Sequence, residues 1–353
     1  MRALSFSTFS DSPSCATAIL AALIGVWFVV FPDPVVMWAT LTTVAFVYCA
    51  SHTVCEYVRQ ACGADWQLAV PNCRVKFPDQ LFKLAFHAWS TFHILGLYDV
   101  TTLTDPNWWF SRDRFSHQQH EMPHFLLYHA QIARWIFGWF LFSFVEPRNR
   151  DHSVMAAHHL ATCSLLLGSL ALSMDRVGVA VLLVHDSSDI FVCVLQMLHY
   201  LGVQGWRFLY AGECAFALNF AVWCAVRLYA FPAWIIAPLA RIVFFCSLTD
   251  SADSACSTGS AGSSSRSTAQ TDPDDTDVSD IPDVPGTLGI LVLLLAALQL
   301  MHVYWACLFA KIAIKISSEG AERAGHDAYH GARDVTRVEL SSNHPNKENK
   351  KIT

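Results

Sequence analysis

The chain has 353 residues, of which 54% are hydrophobic and only 15% charged, and its mean hydropathy is positive at +0.35. A soluble core of this size has no use for so many long apolar runs, so the composition excludes an ordinary soluble domain and points to a polytopic membrane protein. The net charge of −6 averages an acidic stretch at 250–283 with basic residues at loop ends; no nucleic-acid partner is expected from such a distribution.

Segments of about 20 apolar residues, the length that crosses the hydrocarbon layer as a helix, fall near 15–31, 35–56, 77–98, 124–145, 153–173, 177–200, 208–230 and 286–314, with an extra apolar piece at 233–248. The expected fold is all-α, a polytopic bundle of seven to eight transmembrane helices. The first apolar stretch, behind Met1-Arg2, also has the shape of a signal peptide or anchor. Pro32-Asp33-Pro34 after it suits a tight helical hairpin better than a cleavage site. Residues 1–75 thus read as an N-terminal transmembrane hairpin followed by a cytosolic connection.

Basic residues set the expected orientation. Arg59, Arg74 and Lys76 follow span two, Arg148 and Arg150 follow span four, Arg207 follows span six, and Lys311 and Lys315 end the last span. The positive-inside rule makes these loops cytosolic, against Arg112, Arg114 and Arg176 on the other side. Residues 247–285 are rich in Ser, Thr, Asp, Gly and Ala and too polar to bury a core, which predicts a disordered lumenal insertion. The tail at 317–353 is expected in the cytosol, and its Lys350-Lys351-Ile352-Thr353 ending resembles a dilysine retrieval signal of the endoplasmic reticulum. Of the twelve cysteines, Cys163, Cys193, Cys214, Cys224 and Cys307 sit inside apolar spans as small hydrophobes, with no CxxC pair or disulfide framework.

Spans five and six carry the chemistry. His158 and His159 stand inside one, and His185, Asp186 and Asp189 inside the next. Ionisable groups at membrane depth are expensive, face a bundle interior, and mark a substrate, ion or proton site. The two spans are separated by a short turn around Asp175 and Arg176, so they should be antiparallel neighbours. At 1.5 Å per residue, His158 and His159 lie roughly 8–9 Å inside, at a depth similar to Asp189, with His185 about one turn deeper. His185 and Asp189 share a face, as do His158 and Thr162, whereas adjacent residues diverge by about 100°. One of each adjacent pair is expected to support the other, with a carboxylate holding an imidazole in its working tautomer. A polar knot that glues helices is the bland alternative. Three imidazoles and two carboxylates could instead hold zinc or iron, although the HxxxH and HxxHH clusters of membrane di-iron enzymes are absent.

The ordered series His158-His159-Leu160-Ala161-Thr162, Arg176-Val177-Gly178, His185-Asp186-Ser187-Ser188-Asp189 and Tyr200 closely resembles the signature of ceramide synthases, the longevity-assurance branch of the TLC-domain family. Trp223, Arg227, Phe231 and Pro232 resemble the family's W-x-x-x-R-x-x-x-F-P stretch, and Leu298-Gln299 with His302 and Trp305 its last helix. The likeness covers 76–316, read as a TLC domain. It departs at Val192, Cys193 and Gln196, where the family signature continues with Leu-Glu and a Lys. The 57–76 connection is too short for the homeobox-like domain of some relatives.

The resemblance implies N-acylation of a sphingoid base by a fatty acyl-coenzyme A in the endoplasmic-reticulum membrane, with no cofactor and no metal. His158, His159 and His185 become base or nucleophile candidates, oriented by Asp186 and Asp189, because an imidazole near pKa 6.5 can take the proton that a long-chain ammonium must lose. General-base attack and a transient acyl-imidazole are both open. Thr162, Ser187, Trp223, Arg227 and His302 are substrate-binding candidates. Ser187 and Thr162 could donate to an oxyanion or simply bond their own backbone. Arg176 reads as an interface anchor. Lys76, Arg148, Arg150 and Arg207 lie where coenzyme A phosphates would arrive, or serve only to set topology. Trp108, Trp109, Trp135 and Trp139 read mostly as interface and lipid-facing residues. Homo- or hetero-oligomers and a small accessory subunit stay open. A TLC-domain protein that binds or senses lipid without acylating it, and a metal-dependent membrane lipid enzyme, are the alternatives.

Overall fold

The computed structural model describes residues 13–62, 73–110, 118–146, 152–201, 210–244 and 284–319, which are helical apart from short turns. Helices α1 (Pro13–Val30) and α2 (Pro34–Cys62) are separated by a short break at the Pro32-Asp33-Pro34 turn signal. Asp33 Oδ1 accepts from Val35 N at 2.9 Å and Val36 N at 3.2 Å. It thereby satisfies amides that no preceding turn can reach, while Pro34 opens the helix where an N–H is not needed.

The chain continues through α3 (Cys73–Leu97), the short α4 (Val100–Leu103) and α5 (Pro106–Phe110), α6 (Gln118–Phe144), α7 (His152–Ala171) and α8 (Asp175–Tyr200). It ends with α9 (Ala211–Phe244) and α10 (Val284–Glu319). Among the described residues, five helical segments are long and apolar enough to cross a membrane: Pro34–Val58, His152–Ala171, Asp175–Tyr200, Ala211–Phe244 and Leu288–Ser318. Ser14–Val30 is apolar but shorter. Helices α3 and α6 have 25 and 27 residues, but their apolar runs are broken by Asp79, Lys83 and His87 and by His124, Gln131 and Arg134. Length and apolarity therefore support five spans, and the expected count of seven to eight is not established.

One expectation is corrected outright. Within the described residues, the apolar pieces read at 208–230 and 233–248 run on as a single helix, α9 (Ala211–Phe244), because two π-helical stretches, Cys224–Ala230 and Pro232–Ile236, accommodate Pro232 without ending it. Widened turns shift the hydrogen-bond ladder and so absorb a residue that lacks an N–H. The wide turn also carries Arg227, which is buried.

Helices α3, α8, α9, α10, α7 and α6 each pack on the next, and α6 returns to α3, closing a ring; α1 packs on α6 and α7, and α2 on α6 and α3. Trp38, Phe46, Phe92, Leu293, Leu300 and Ile314 are between 65% and 73% exposed on the outer faces. Such a surface suits hydrocarbon and not water. The interior holds the reverse: His87, Gln131, Arg134, His158, His159, His185, Asp186, Arg227 and His302 are all buried.

The α7–α8 turn spans only Leu172 to Met174, with Ser173 at a positive φ of 54°. At this end of the ring Asp175 accepts from His124 Nε2 at 2.6 Å. His124 Nδ1 is then the acceptor for the Tyr98 hydroxyl at 2.9 Å. Arg176 donates to Trp108 O at 2.9 Å and lies 5.2 Å from its ring centroid, in keeping with an anchoring role. At the opposite end Lys83 pairs with Asp79 at 2.7 Å and Glu146 at 3.3 Å.

Candidate active site

Helix α7 places His158 and His159 inside the ring, but on different neighbours. The His158 ring meets Trp135 at 5.5 Å and Trp305 at 5.3 Å between centroids. That of His159 meets Trp135 at 5.4 Å and stacks on Phe142 at 5.1 Å. Both Nδ1 atoms are buried and without a hydrogen-bond partner. Trp109, Trp135 and Trp139 are buried too, which corrects their expected place at the interface or in lipid. Trp135 and Trp139 wall the histidine pair, and only Trp108 of the four is half-buried.

On α8, His185 Nδ1 lies 2.7 Å from the carbonyl of Val181, one turn earlier. A carbonyl can only accept, so Nδ1 carries the hydrogen and Nε2 of the neutral ring keeps its lone pair. That Nε2 is buried and has no partner. The helix backbone thus fixes the tautomer that a general base or nucleophile needs. Across the ring, His302 and Trp305 stand three residues apart on α10 and so share a face. His302 is 5.0 Å from the His185 ring and Trp305 is 5.3 Å from that of His158, which joins both histidine sets into one chamber.

The aspartates work differently from what the sequence led us to expect. Asp186 does not touch an imidazole of α7. Its Oδ1 is 2.7 Å from His87 Nδ1 and its Oδ2 accepts from Gln131 Nε2 at 2.6 Å, which also reaches Ser90 Oγ at 2.7 Å. Asp189 is ion-paired with Arg227 Nη2. Both carboxylates tie helices of the ring together, Asp186 to α3 and α6 and Asp189 to α9. His87, Gln131 and Ser90 were missed by sequence reasoning, although the rule that flagged α7 and α8, a polar residue inside an apolar span, also applies to them.

Arg227 is fully engaged. Its Nε donates to Ser188 Oγ at 2.7 Å and Nη2 to His185 O at 3.1 Å, while its guanidinium lies 4.5 Å from the Trp223 ring centroid. Nη1 is 3.2 Å from His302 Nε2, and a guanidinium only donates, so His302 Nδ1 carries the hydrogen. Trp223 Nε1 donates to His302 O at 3.2 Å. These three residues, expected to contact substrate, together build the wall behind His185, with His302 Nδ1 left without a partner. Ser187 Oγ donates to Val184 O at 3.3 Å, the backbone role. Thr162 Oγ1 is buried without a partner and lines the cavity described next.

A narrow cavity of about 60 Å³ begins at Thr162, His185 and Asp186 and follows α7 and α8 to Tyr128, Ser169 and Gly178. Its remaining walls are almost wholly apolar, supplied by leucines of α7 and α10 among others. Two of its lining residues, Tyr128 and Ser169, are hydrogen-bonded to each other through Oη and Oγ. Ser169 Oγ itself donates to Leu166 O at 3.1 Å, so the phenol is the donor to it. Glycine at 178 is required there: a Cβ would fall 2.9 Å from the Tyr128 ring.

Among the described residues no group of three or more His, Cys, Asp and Glu side chains is arranged to hold a metal ion. Cys163 and Cys193 are buried, as small hydrophobes would be, whereas Cys214 and Cys307 are exposed. Arg112, Arg114, Arg148, Arg150, Arg207, Lys350, Lys351 and most of the 247–285 insertion lie outside the described residues.

A family profile described as "TLC domain" matches residues 76–311. The chain is 29% identical over 163 residues to ceramide synthase LOH2 of Arabidopsis thaliana, covering 46% of this chain and 53% of that one. It is 29% identical over 182 residues to sphingosine N-acyltransferase lag1 of Schizosaccharomyces pombe (50% and 44%) and 26% over 183 residues to ceramide synthase 5 of Homo sapiens (49% and 45%). The chain spans about half the length of these curated relatives.

Proposed function

Since this chain belongs to the TLC-domain family, and since its relatives are named as ceramide synthases and a sphingosine N-acyltransferase, we propose that it transfers a fatty acyl group from acyl-coenzyme A to the amine of a sphingoid base. The observation that carries this reading is His185: a buried imidazole whose backbone bond leaves the Nε2 lone pair free, at the mouth of an apolar cavity.

The amine arrives as an ammonium, which cannot attack. Loss of one proton to an imidazole frees the nitrogen lone pair, which attacks the thioester carbonyl carbon. A C–N bond forms, the C–S bond breaks with its electron pair on sulfur, and the attacking nitrogen gives up a second proton as it becomes an amide; of the two protons lost, one ends on the thiolate of coenzyme A and the other is released to water. In the two-step variant an imidazole nitrogen of His158, His159 or His185 first accepts the acyl group and the amine then takes it. The unpartnered Thr162 hydroxyl and the His302 Nδ1–H are the groups free to meet a developing oxyanion. No metal or cofactor is required by this chemistry. The donor chain would enter from the face bearing the basic loops, the cytosolic side, in the endoplasmic-reticulum membrane.

The apolar cavity is the place for the acyl chain, and at about 60 Å³ it is well short of the roughly 150 Å³ that takes up a single benzene ring. Side chains must therefore turn aside to admit a long chain, and Tyr128 forms the stop. Tyr128→Ala is expected to shift the preferred acyl-coenzyme A to longer chains, read by competition among donors of graded length; an unchanged preference would remove Tyr128 from the acyl site. The same cavity would also serve a protein that only binds lipid, and the two readings separate on turnover. Expression in cells lacking ceramide synthases should restore ceramide. Normal accumulation without ceramide, across acyl donors of all lengths, would leave the lipid-binding reading.

A further inference from the structure

Arg134 on α6 has no role in the reaction described so far, and it is 5% exposed. Its guanidinium is ringed by Phe82 and Phe86 of α3, each 5.9 Å from it, and by Trp135 at 5.1 Å. Its Nε is buried without a partner, and none of the ion pairs among the described residues includes it. The other cations of the ring differ: Arg227 is bonded to Asp189, and Lys83 to Asp79 and Glu146. Cation–π contacts soften the burial of a guanidinium but do not replace an anion.

The side chain points into the chamber and not toward lipid. A Cβ built on Gly138 would lie 2.9 Å from Arg134 Nη1 and 3.4 Å from His159 Cε1, so guanidinium and imidazole close on the same spot. One turn earlier on the same helix, Gln131 holds Asp186. A charge-bearing group without its counterion, beside a reactive imidazole, is where an anion is expected to form or arrive. The phosphates of coenzyme A do not suit this place, because the pantetheine arm keeps them far from the thioester that His159 would face.

We propose that Arg134 receives the negative charge that leaves on sulfur. This rests on the N-acyl transfer reading. As the amine nitrogen forms its bond to the carbonyl carbon and gives its proton to an imidazole, the C–S electron pair stays on sulfur as a thiolate. In a buried site a thiolate is a poor leaving group unless a cation meets it. A guanidinium keeps its charge and so acts by electrostatics and hydrogen bonding, without supplying a proton.

The test compares leaving groups in the full-length protein. Wild type, Arg134→Gln and Arg134→Lys are assayed with a fatty acyl-coenzyme A and with the same acyl group on an aromatic nitro-substituted thiol, whose thiolate needs little help. For Arg134→Gln, kcat with acyl-coenzyme A is expected to fall about 10²–10³-fold, the loss typical of removing one charge-stabilising donor. The fall should be much smaller with the aromatic thioester, and Arg134→Lys should lie between. Gly138→Ala, whose added carbon displaces Nη1, should show the same dependence on leaving group and serves if Arg134→Gln does not accumulate. Equal losses with both donors in either variant, or no loss, would overturn the proposal. A wild-type protein that acylates sphingoid base from neither donor would instead overturn the N-acyl transfer reading, and the proposal with it.

Discussion

His185→Ala should lower ceramide formation by about 10²–10⁴-fold, the usual contribution of a positioned general acid–base, while the protein accumulates near its normal level. The substitution removes an imidazole of the chamber whose tautomer is set by a backbone bond, Nδ1 to Val181 O at 2.7 Å, and whose Nε2 is left without a partner. The helix itself loses nothing, because Val181 O keeps its place in the main-chain ladder. Ring contacts at 5.0 Å to Phe231 and His302 are lost, a modest packing change. Labelled sphingoid base and acyl-coenzyme A, supplied to membranes carrying equal amounts of each protein, give the comparison. Activity within threefold of normal would move the base to the α7 pair.

The second large effect concerns stability. Asp189→Ala leaves the Arg227 guanidinium, whose side chain is 3% exposed, without its carboxylate. Breaking a buried pair from one side costs about 3–5 kcal/mol when both groups are fully enclosed. Asp189 is 23% exposed, so the lower end of that range applies. The thermal midpoint in detergent should fall markedly and accumulation in cells with it. Arg227→Met in the same chain should return part of the loss, since it removes the orphaned charge, although activity should not recover because the wall behind His185 is gone. Strictly additive losses in the double variant would show that the two side chains are not coupled.

How far the sequence carried can be read from particular residues. The five ionisable side chains of α7 and α8 were legible because charge within an apolar run is rare and costly. So was the break between α1 and α2, written in Pro32-Asp33-Pro34. The partners of Asp186 and Asp189 were not legible. A carboxylate on one helix can turn to any of several neighbours, and the choice of His87, Gln131 and Arg227 depends on how the ring closes. The apolar run of α9 reads in the sequence as a span at 208–230 and an extra piece at 233–248, and only the π-helical turns show how the helix continues through Pro232. Trp135 and Trp139 were placed outside by the statistical habit of tryptophan in membranes; packing against His158 and His159 puts them inside. Arg134 drew no attention because one arginine in a long apolar run resembles a topology marker, and its missing partner is a fact of three dimensions.

The central claim is that this ring of helices joins an acyl thioester to an amine, and the direct measurement follows both products at once. Purified protein is given long-chain acyl-coenzyme A and sphingoid base in detergent micelles with chelator present, and free thiol and ceramide are counted over time. One thiol released for each ceramide formed, with both lost in His185→Ala, is the predicted result. Thiol release without ceramide, or neither product from folded protein across acyl chains of every length, would contradict it.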